Sequence, residues 1–308
     1  MPLAASNNSV RIVLDCQDHT GESAIWDAAG QRLVWVDIGN KRIHRLDPSS
    51  GHHETWTTPE FVTSIGLRHD GVAVVSLARR IAFWNFGGAF ETFAEPENDR
   101  PDNRFNEGKV GPDGCFWVGS MQNNLRDDAS ERDMSGRHGA LHRVEATGKS
   151  VRLTPYNIGI SNTMAWTSDG RFLFGDTLEN VIYQYDWVST SNTITNRRTF
   201  FAGFPRGLPD GSCLDAEGYL WNCRVVGGGC VVRVAPDGKV DRVLELPCSW
   251  PTSCTFGGPN LDTLYVTSAR FALSPAHLAA HPHEGALLAA DVGVRGLGEN
   301  LFGRISLK

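Results

Sequence analysis

Residues 112–121 read PDGCFWVGSM, a glycine turn followed by an apolar run that is typical of a β-strand. Similar units recur along the chain, with turn glycines at Gly30, Gly71, Gly114, Gly170 and Gly218 and a looser copy, GGPN, at 257–260. Successive turns lie 41, 43, 56, 48 and roughly 40 residues apart. The chain is therefore predicted to contain six copies of one structural unit.

A strand-like run follows each turn, and a second run follows several of them, which predicts hairpins. The first runs are RLVWVDI, VAVVSLA, CFWVGSM, RFLFGDT, YLWNCRV and TLYVTSA. A repeat of about 40 to 50 residues with this content is typical of a propeller blade. We predict an all-β fold, a six-bladed β-propeller with four-stranded antiparallel blades, in which residues 1–308 form a single domain.

Two further segments fit this arrangement. The run SVRIVLD (9–15) is predicted to complete the last blade and so close the ring, which removes exposed sheet edges. The longest interval holds the polar segment MQNNLRDDASERDMSGRHG (121–139), a predicted loop and candidate lid over one face. A β-sandwich or jelly roll is the alternative, but six near-equal units favour radial repetition.

Composition excludes several classes of partner. The net charge is −6 and there is no basic block, which argues against nucleic-acid binding. No apolar run approaches the roughly 18 residues of a membrane span, and the first 22 residues lack a signal-peptide pattern. Seven cysteines without a CxxC pair suggest reduced thiols in a cytoplasmic protein. A Cys248–Cys254 bridge and the oligomeric state stay open.

Polar residues occupy matching positions in four repeats. Glu22, Asn106, Asn162 and Asp210 each lie 8 residues before a turn glycine, in segments that we expect to be inter-strand loops. Equivalent positions in different blades lie at the same part of the central channel. Two carboxylates and two amides there would form an oxygen-rich site for one divalent metal. Ca²⁺, Mg²⁺ and Mn²⁺ suit such a site, and Zn²⁺ and Fe²⁺ stay possible.

Five ordered segments resemble the gluconolactonase, regucalcin and senescence-marker-protein family. They are GESAIWD, NRFNEGKVGPDGCFWVGSM, SNTMAW, PDGSCLDAEGYLW and FGGPNLDTLYVTSAR, and the resemblance runs from about residue 15 to 295. The resemblance implies a six-bladed propeller with one divalent metal, Ca²⁺ first, in its channel. It also implies hydrolysis of a sugar-acid lactone, such as the glucono-, galactono-, xylono- or arabinono-lactone.

The resemblance assigns roles to individual residues. Glu22, Asn162 and Asp210 would bind the metal, with Asp210 also the catalytic base. Arg104 and Asn106 would bind the substrate. Arg104 is expected in a loop at the channel mouth, where its guanidinium would orient the sugar.

Two positions depart from the family pattern. Thr163 follows the metal-binding asparagine where the family usually has glycine. The amides Asn123 and Asn124 take the place of an acidic position in a loop that shapes the substrate pocket, and Asn124 is the candidate contact. The preferred sugar therefore stays open.

A histidine-rich segment offers a competing metal site. HLAAHPH (277–283) carries three histidines, but Pro282 would end any short helix and no acidic partner stands at ligand spacing. We interpret it as a surface loop.

Three functions compete. The first is a metal-dependent lactonase, since a lactone is a cyclic ester that needs an activated water and a stabilised oxyanion. The second is a metal-dependent esterase or phosphotriesterase on the same fold. The third is a non-catalytic calcium-binding or scaffold propeller. Matching offsets of Glu22, Asn162 and Asp210 favour the first, with a small-molecule sugar lactone as the partner.

Overall fold

Six four-stranded antiparallel sheets form the blades of a β-propeller in the computed structural model, which describes residues 10–303. Residues 1–9 and 304–308 lie outside this range. The prediction that the first 22 residues lack a signal peptide falls partly on these residues. The predicted fold class is confirmed, and the sandwich alternative is wrong.

The strands follow one another around the ring in chain order. They are β1 (Val10–Leu14), β2 (Gly21–Asp27), β3 (Arg32–Asp37), β4 (Arg42–Leu46), β5 (His53–Thr57), β6 (Val62–Leu67), β7 (Ala73–Leu77), β8 (Ile81–Trp84), β9 (Glu91–Ala94), β10 (Asn103–Val110), β11 (Phe116–Gln122), β12 (Leu141–Val144), β13 (Ser150–Arg152), β14 (Ser161–Trp166), β15 (Arg171–Asp176), β16 (Val181–Val188), β17 (Thr193–Ala202), β18 (Leu208–Leu214), β19 (Leu220–Val225), β20 (Cys230–Val234), β21 (Val240–Glu245), β22 (Pro251–Gly257), β23 (Thr263–Ser268) and β24 (Leu287–Asp291). One helix, α1 (Pro275–Ala280), lies within the described range, where no helix is long and apolar enough to cross a membrane.

The N-terminal strand closes the ring. The last blade has the order β1-β24-β23-β22, so its outer strand comes from the start of the chain. Val10 pairs with Ala290 in an antiparallel register. This confirms the role predicted for SVRIVLD, apart from Ser9, which lies outside the described range.

The turn glycines connect the first and second strands of the blades. Gly71, Gly114, Gly170 and Gly218 adopt φ values between 70° and 84°, in the left-handed region that glycine tolerates. In the first blade Gln31, not Gly30, takes the left-handed conformation, with φ of 51°.

Apolar side chains fill the six interfaces between neighbouring blades. Six separate hydrophobic clusters are buried there, one at each interface. Trp35, Trp117 and Trp221 lie on the second strands β3, β11 and β19 and are fully buried. Each indole Nε1 donates to an aspartate, respectively Asp18, Asp113 and Asp215. The blades are therefore packed face to face, which leaves their inner edges to line the channel.

The first strands of the blades form the inner wall of the ring. β2, β6, β10, β14, β18 and β22 each contact the next in turn, and β22 returns to β2. Every one of them carries a β-bulge or register shift against its neighbour. Because a bulge redirects side chains, these six irregularities set which side chains point into the channel.

Candidate active site

The structure brings all six predicted site residues to one cavity of about 180 Å³ at the end of the channel. They are Glu22, Arg104, Asn106, Asn124, Asn162 and Asp210. Five of them belong to inner strands, namely β2, β10, β14 and β18, and Asn124 follows β11. The expectation that they lie in loops is therefore wrong for these five, Arg104 included. The bulges, not loops, direct them inward.

Four of these residues stand at the bulge itself. Glu22 and Asn162 are the last regularly paired residues before the shift, and Asn106 and Asp210 lie within it. All four are buried, with at most 7% of each residue exposed. The constant offset of 8 residues in the sequence thus reflects one structural position that is repeated in different blades.

The substrate-binding candidates form one hydrogen-bonded chain. Arg104 donates from Nη1 to Asn106 Oδ1 at 2.7 Å and from Nη2 to Asn124 Oδ1 at 2.8 Å. Asn106 Nδ2 in turn donates to Asn162 Oδ1 at 3.2 Å. Asn162 Nδ2 donates to Thr177 Oγ1 at 2.8 Å. These bonds hold the guanidinium and three amides in fixed orientations along one side of the cavity.

The carboxyl groups of Glu22 and Asp210 are both buried, and burial raises the pKa of each. Burial is the main cause for Glu22, and the charges of Asp210 and Glu107 add to it. Burial likewise raises the pKa of Asp210, followed by the charge of Glu107. Asp210 Oδ1 has no hydrogen-bond partner although it is buried. A buried carboxylate oxygen without a partner is costly, and a bound cation or hydrogen-bond donor would stabilise it.

These residues fit a divalent cation. Glu22 and Asp210 offer carboxylate oxygens, and Asn162 offers an amide oxygen. Carboxylate and amide oxygens are the ligands that hard cations prefer. A cation between them would offset their repulsion and lower both pKa values.

Sequence reasoning missed Glu107, which follows Asn106 in the shifted part of β10. Its side chain is 7% exposed, and burial raises its pKa to about 7. Lys109, on the same strand, donates from Nζ to Ser212 O at 3.2 Å. The channel beneath the cavity is therefore also charged.

Sequence reasoning also missed two aspartates that hold the strands carrying Glu22 and Asn162. Asp37, the last residue of β3, accepts from the backbone N–H of His19 at 3.2 Å and of Thr20 at 3.0 Å. Asp176, the last residue of β15, accepts from the N–H of Gly159 at 2.9 Å and of Ile160 at 3.3 Å. Asp37 is the sixth residue of the run RLVWVDI, and Asp176 is the sixth residue of RFLFGDT. This shared position in two repeats is the signal that could have identified the two aspartates.

Thr163 links the strands of two predicted ligands. Its φ of 44° lies in the left-handed region, where a β-branched residue is strained and glycine is not. Its Oγ1 donates to Asp210 O at 2.5 Å and lies 2.8 Å from Ser212 Oγ. The hydroxyl thus compensates for the backbone strain at this position by fixing β14 to β18.

The predicted loop between β11 and β12 contributes to the cavity through Asn124 and Leu125. Asn123 does not line it, because both its amide atoms bond the backbone of Leu125. Only one of the two amides in this loop is therefore placed to touch a ligand.

Another buried cluster also brings possible metal ligands together. Asp18, Asp37 and His44 are the one described group whose histidine and carboxylate atoms lie close enough, within 4.8 Å, to hold a metal. However, Asp37 accepts four hydrogen bonds and Asp18 Oδ2 accepts one from Trp35 at 2.8 Å. The oxygens of Asp37 are therefore satisfied, whereas Asp18 Oδ1 has no hydrogen-bond partner and lies 3.4 Å from His44 Nε2. Neither aspartate lines the cavity.

The histidine segment 277–283 is not simply a loop, because it includes most of α1, which ends just before the C-cap residue His281 and Pro282. His277 also has an acidic neighbour that the sequence spacing did not reveal, Glu284, at 3.0 Å.

The seven cysteines are free, and Cys254 lies beside Cys213, with 3.6 Å between the sulfurs, and not beside Cys248.

Comparison with known proteins places the chain. The sequence profile of the SMP-30/Gluconolactonase/LRE-like region matches residues 20–270. A 6-deoxy-6-sulfogluconolactonase of Pseudomonas putida is 35% identical over 300 residues, which cover 96% of this chain and 99% of that protein. Regucalcin of Xenopus laevis is 32% identical over 287 residues, which cover 92% and 94% of the two chains.

A solved structure agrees with this result. The calcium-binding protein regucalcin of Agrobacterium tumefaciens has a TM-score of 0.88 and 27% identity, with 96% of this chain and 98% of that chain covered. The profile spans most of the chain, and two relatives exceed 30% identity over nearly their full lengths. The chain belongs to the SMP-30/gluconolactonase/LRE-like family and is a lactone hydrolase, which acts on a carboxylic ester bond.

Proposed function

We propose that this protein hydrolyses the lactone of a sugar acid to the open-chain aldonic acid, and that one divalent cation bound by Glu22, Asn162 and Asp210 assists. The observation that carries the proposal is the convergence of these three side chains from three blades, with Asp210 Oδ1 left without a partner. The lactonase named among the relatives supports a sugar-derived lactone as the substrate.

Ca²⁺ is the cation that we propose first. The three ligand residues offer oxygen atoms only, and a structural relative is described as a calcium-binding protein. Mg²⁺, Mn²⁺, Zn²⁺ and Fe²⁺ are alternatives that metal analysis distinguishes. When bound, the cation supplies stabilisation for the negative charge that develops on the lactone carbonyl oxygen.

The reaction adds water across the ester bond. The oxygen of water bonds to the carbonyl carbon, the bond from that carbon to the ring oxygen breaks, and the ring oxygen receives a proton. Asp210 is the proposed base, since its carboxylate can take a proton from the attacking water and return it to the leaving ring oxygen. Asp210 would be ionised, the form a base requires, when a cation is bound beside it.

Arg104, Asn106 and Asn124 are the proposed substrate-binding residues. Their mutual hydrogen bonds fix the orientations of the Arg104 guanidinium and of the Asn106 and Asn124 amides. Donors that are already oriented lose little entropy when they bind sugar hydroxyls, so this arrangement favours one pose of the substrate.

A proton-release assay with glucono-, galactono-, xylono- and arabinono-lactone tests the proposal. We expect turnover above the spontaneous rate, its loss after exhaustive chelation and its return with added Ca²⁺. Elemental analysis should find one divalent cation per chain, which is a readout independent of activity. Turnover that persists in metal-free protein would refute the cation, and absence of turnover with any lactone would refute the substrate class.

A panel of other esters separates the remaining alternative. If p-nitrophenyl acetate or a phosphotriester were hydrolysed with a kcat/KM above that of every lactone, the esterase interpretation would replace this one.

For the compartment we propose the cytoplasm, which the seven free cysteine thiols support.

A further inference from the structure

The mouth of the cavity is apolar although its floor is charged. Six side chains, here called the apolar collar, line the outer part of the cavity: Ile160, Leu178, Leu208, Val226, Trp250 and Phe271. Leu178 is 50% exposed and Val226 is 47% exposed, which is unusual for large hydrophobic side chains. Each follows the second strand of its blade, β15 or β19. Exposed apolar side chains at the mouth of a cavity commonly mark a contact surface for a ligand.

The aromatic side of the collar is built as one unit. The rings of Trp250 and Phe271 meet edge to face, with 6.1 Å between their centroids. His19 packs on the other side of Phe271, with 5.7 Å between the ring centroids. This contact holds the Phe271 ring in place at the mouth, so the collar offers a preformed apolar surface.

Cations are scarce around this cavity. Among the described residues that line it, Arg104 is the only cationic side chain. Its guanidinium is buried and already donates to Phe105 O, Asn106 Oδ1 and Asn124 Oδ1. Arg137, near the mouth, pairs with Asp176 at 3.0 Å and with Glu179. An anionic group at the mouth would therefore find no free positive partner on these residues.

The position of the reacting atoms sets the direction of the substrate. If Asp210 acts on the lactone carbonyl, that carbonyl lies at the cavity floor. The carbon atoms farthest from it then extend through the collar. This step rests on the proposed function.

We propose that the apolar collar makes this enzyme select lactones whose distal carbon is uncharged and apolar, with 6-deoxyaldonolactones as the substrate class. A methyl group at that carbon would bury against Leu178, Val226, Trp250 and Phe271. A hydroxyl would lose hydrogen bonds to water without replacement, and a phosphate or sulfonate would lose far more hydration. The enzyme would thus differ in specificity from its relative named for a sulfonated lactone.

Two matched pairs of substrates test this selection. D-fucono-1,4-lactone is D-galactono-1,4-lactone without its 6-hydroxyl, and we expect its kcat/KM to be roughly tenfold higher. For 6-phosphogluconolactone we expect kcat/KM on the order of a hundredfold or more below that of gluconolactone. Spontaneous hydrolysis is subtracted for each compound. An equal or higher kcat/KM for the phosphorylated lactone, or a preference for the 6-hydroxyl, would overturn the proposal.

Two variants of the collar provide an independent test. Leu178→Lys and Val226→Lys place a cation at the mouth, and each should raise kcat/KM for the phosphorylated lactone relative to gluconolactone roughly threefold to tenfold. Val151→Lys is the matched control, because Val151 is 41% exposed but lies on the outer strand β13. It should leave the ratio unchanged, and an equal change in all three variants would show a general charge effect and contradict the collar.

The two proposals fail in different ways. Hydrolysis of lactones with a preference for charged compounds refutes the collar and leaves the proposed function intact. Failure to hydrolyse any lactone, charged or not, refutes the proposed function and the collar with it.

Discussion

The same bulge occurs in the inner strand of all six blades, but its side chains differ between two sets of blades. In the blades of β2, β14 and β18 it presents Glu22, Asn162 and Asp210 to the cavity. In the blade of β6 the corresponding residue, 8 before Gly71, is Thr63, whose Oγ1 is hydrogen-bonded to Ser76 of β7. The adjacent Val62 is fully buried in the core between the first two blades. The backbone irregularity is thus part of the architecture, and the residue type placed on it determines whether it binds or packs.

The blade of β22 gives an intermediate case. Thr252 lines the cavity, but its Oγ1 donates to Gly21 O, in the strand of Glu22, and lies 2.9 Å from Thr267 Oγ1. Its hydroxyl therefore ties two inner strands together. Substitutions at equivalent positions in the two sets of blades should separate catalysis from packing.

The largest effect is expected for Asp210→Asn. The change keeps the shape and one ligand oxygen but removes the charge and the basicity, so kcat should fall by at least about a hundredfold. Steady-state kinetics at saturating Ca²⁺ measure this, and added metal should restore occupancy without restoring the rate. Thr252→Ser, at the corresponding position of another blade, is the control and should keep most of the activity. Full recovery of turnover with metal would mean that Asp210 is a ligand only.

A somewhat smaller effect is expected for Arg104→Ala. Loss of the guanidinium removes the partner of Asn106 and Asn124, and the misplaced substrate should react on the order of a hundredfold more slowly in kcat/KM. The melting temperature measured by circular dichroism should change little. A melting temperature lowered by many degrees, with normal turnover in the folded fraction, would show that Arg104 is structural.

Glu22→Gln should weaken the binding of the cation, by roughly 10- to 100-fold or more. Isothermal titration of the metal-free protein with Ca²⁺ measures this directly. Because the substitution also removes a charge that opposes Asp210, the metal-free variant should be at least as stable as the metal-free wild type. Unchanged affinity with one metal per chain would show that Glu22 is not a ligand.

The smallest functional effect is expected for Val62→Ala, next to Thr63, the corresponding position in a blade without a predicted ligand. Removing two buried methyl groups should lower the free energy of unfolding by about 2 kcal/mol. Urea denaturation measures the loss, and calcium affinity should stay at the wild-type value. A loss of affinity comparable to that of Glu22→Gln would mean that the bulges are coupled and would weaken the distinction between the two sets of blades.

Much of the candidate site was accessible from the order of residues alone. The offset of 8 residues from the turn glycine singled out Glu22, Asn106, Asn162 and Asp210. This works because blades of the same architecture place residues with the same offset at the same level of the channel. The same argument placed these residues in loops, which was wrong. A residue spacing does not show where the hydrogen bonding between two strands begins. From the sequence alone, polar residues at a bulge inside a strand therefore cannot be distinguished from residues in a loop.

The sequence by itself determined the number of blades, closure of the ring by the first strand and the family. These depend on local alternation and on a repeated spacing, which are readable in a linear chain. Only the tertiary structure decided which side chains meet across blades. Asp37 and Asp176 reach the segments that enter β2 and β14, Thr163 bonds the strand of Asp210, and the collar gathers residues from three blades. Such contacts depend on how the ring brings distant segments within a few ångströms, and no spacing along the chain encodes those distances.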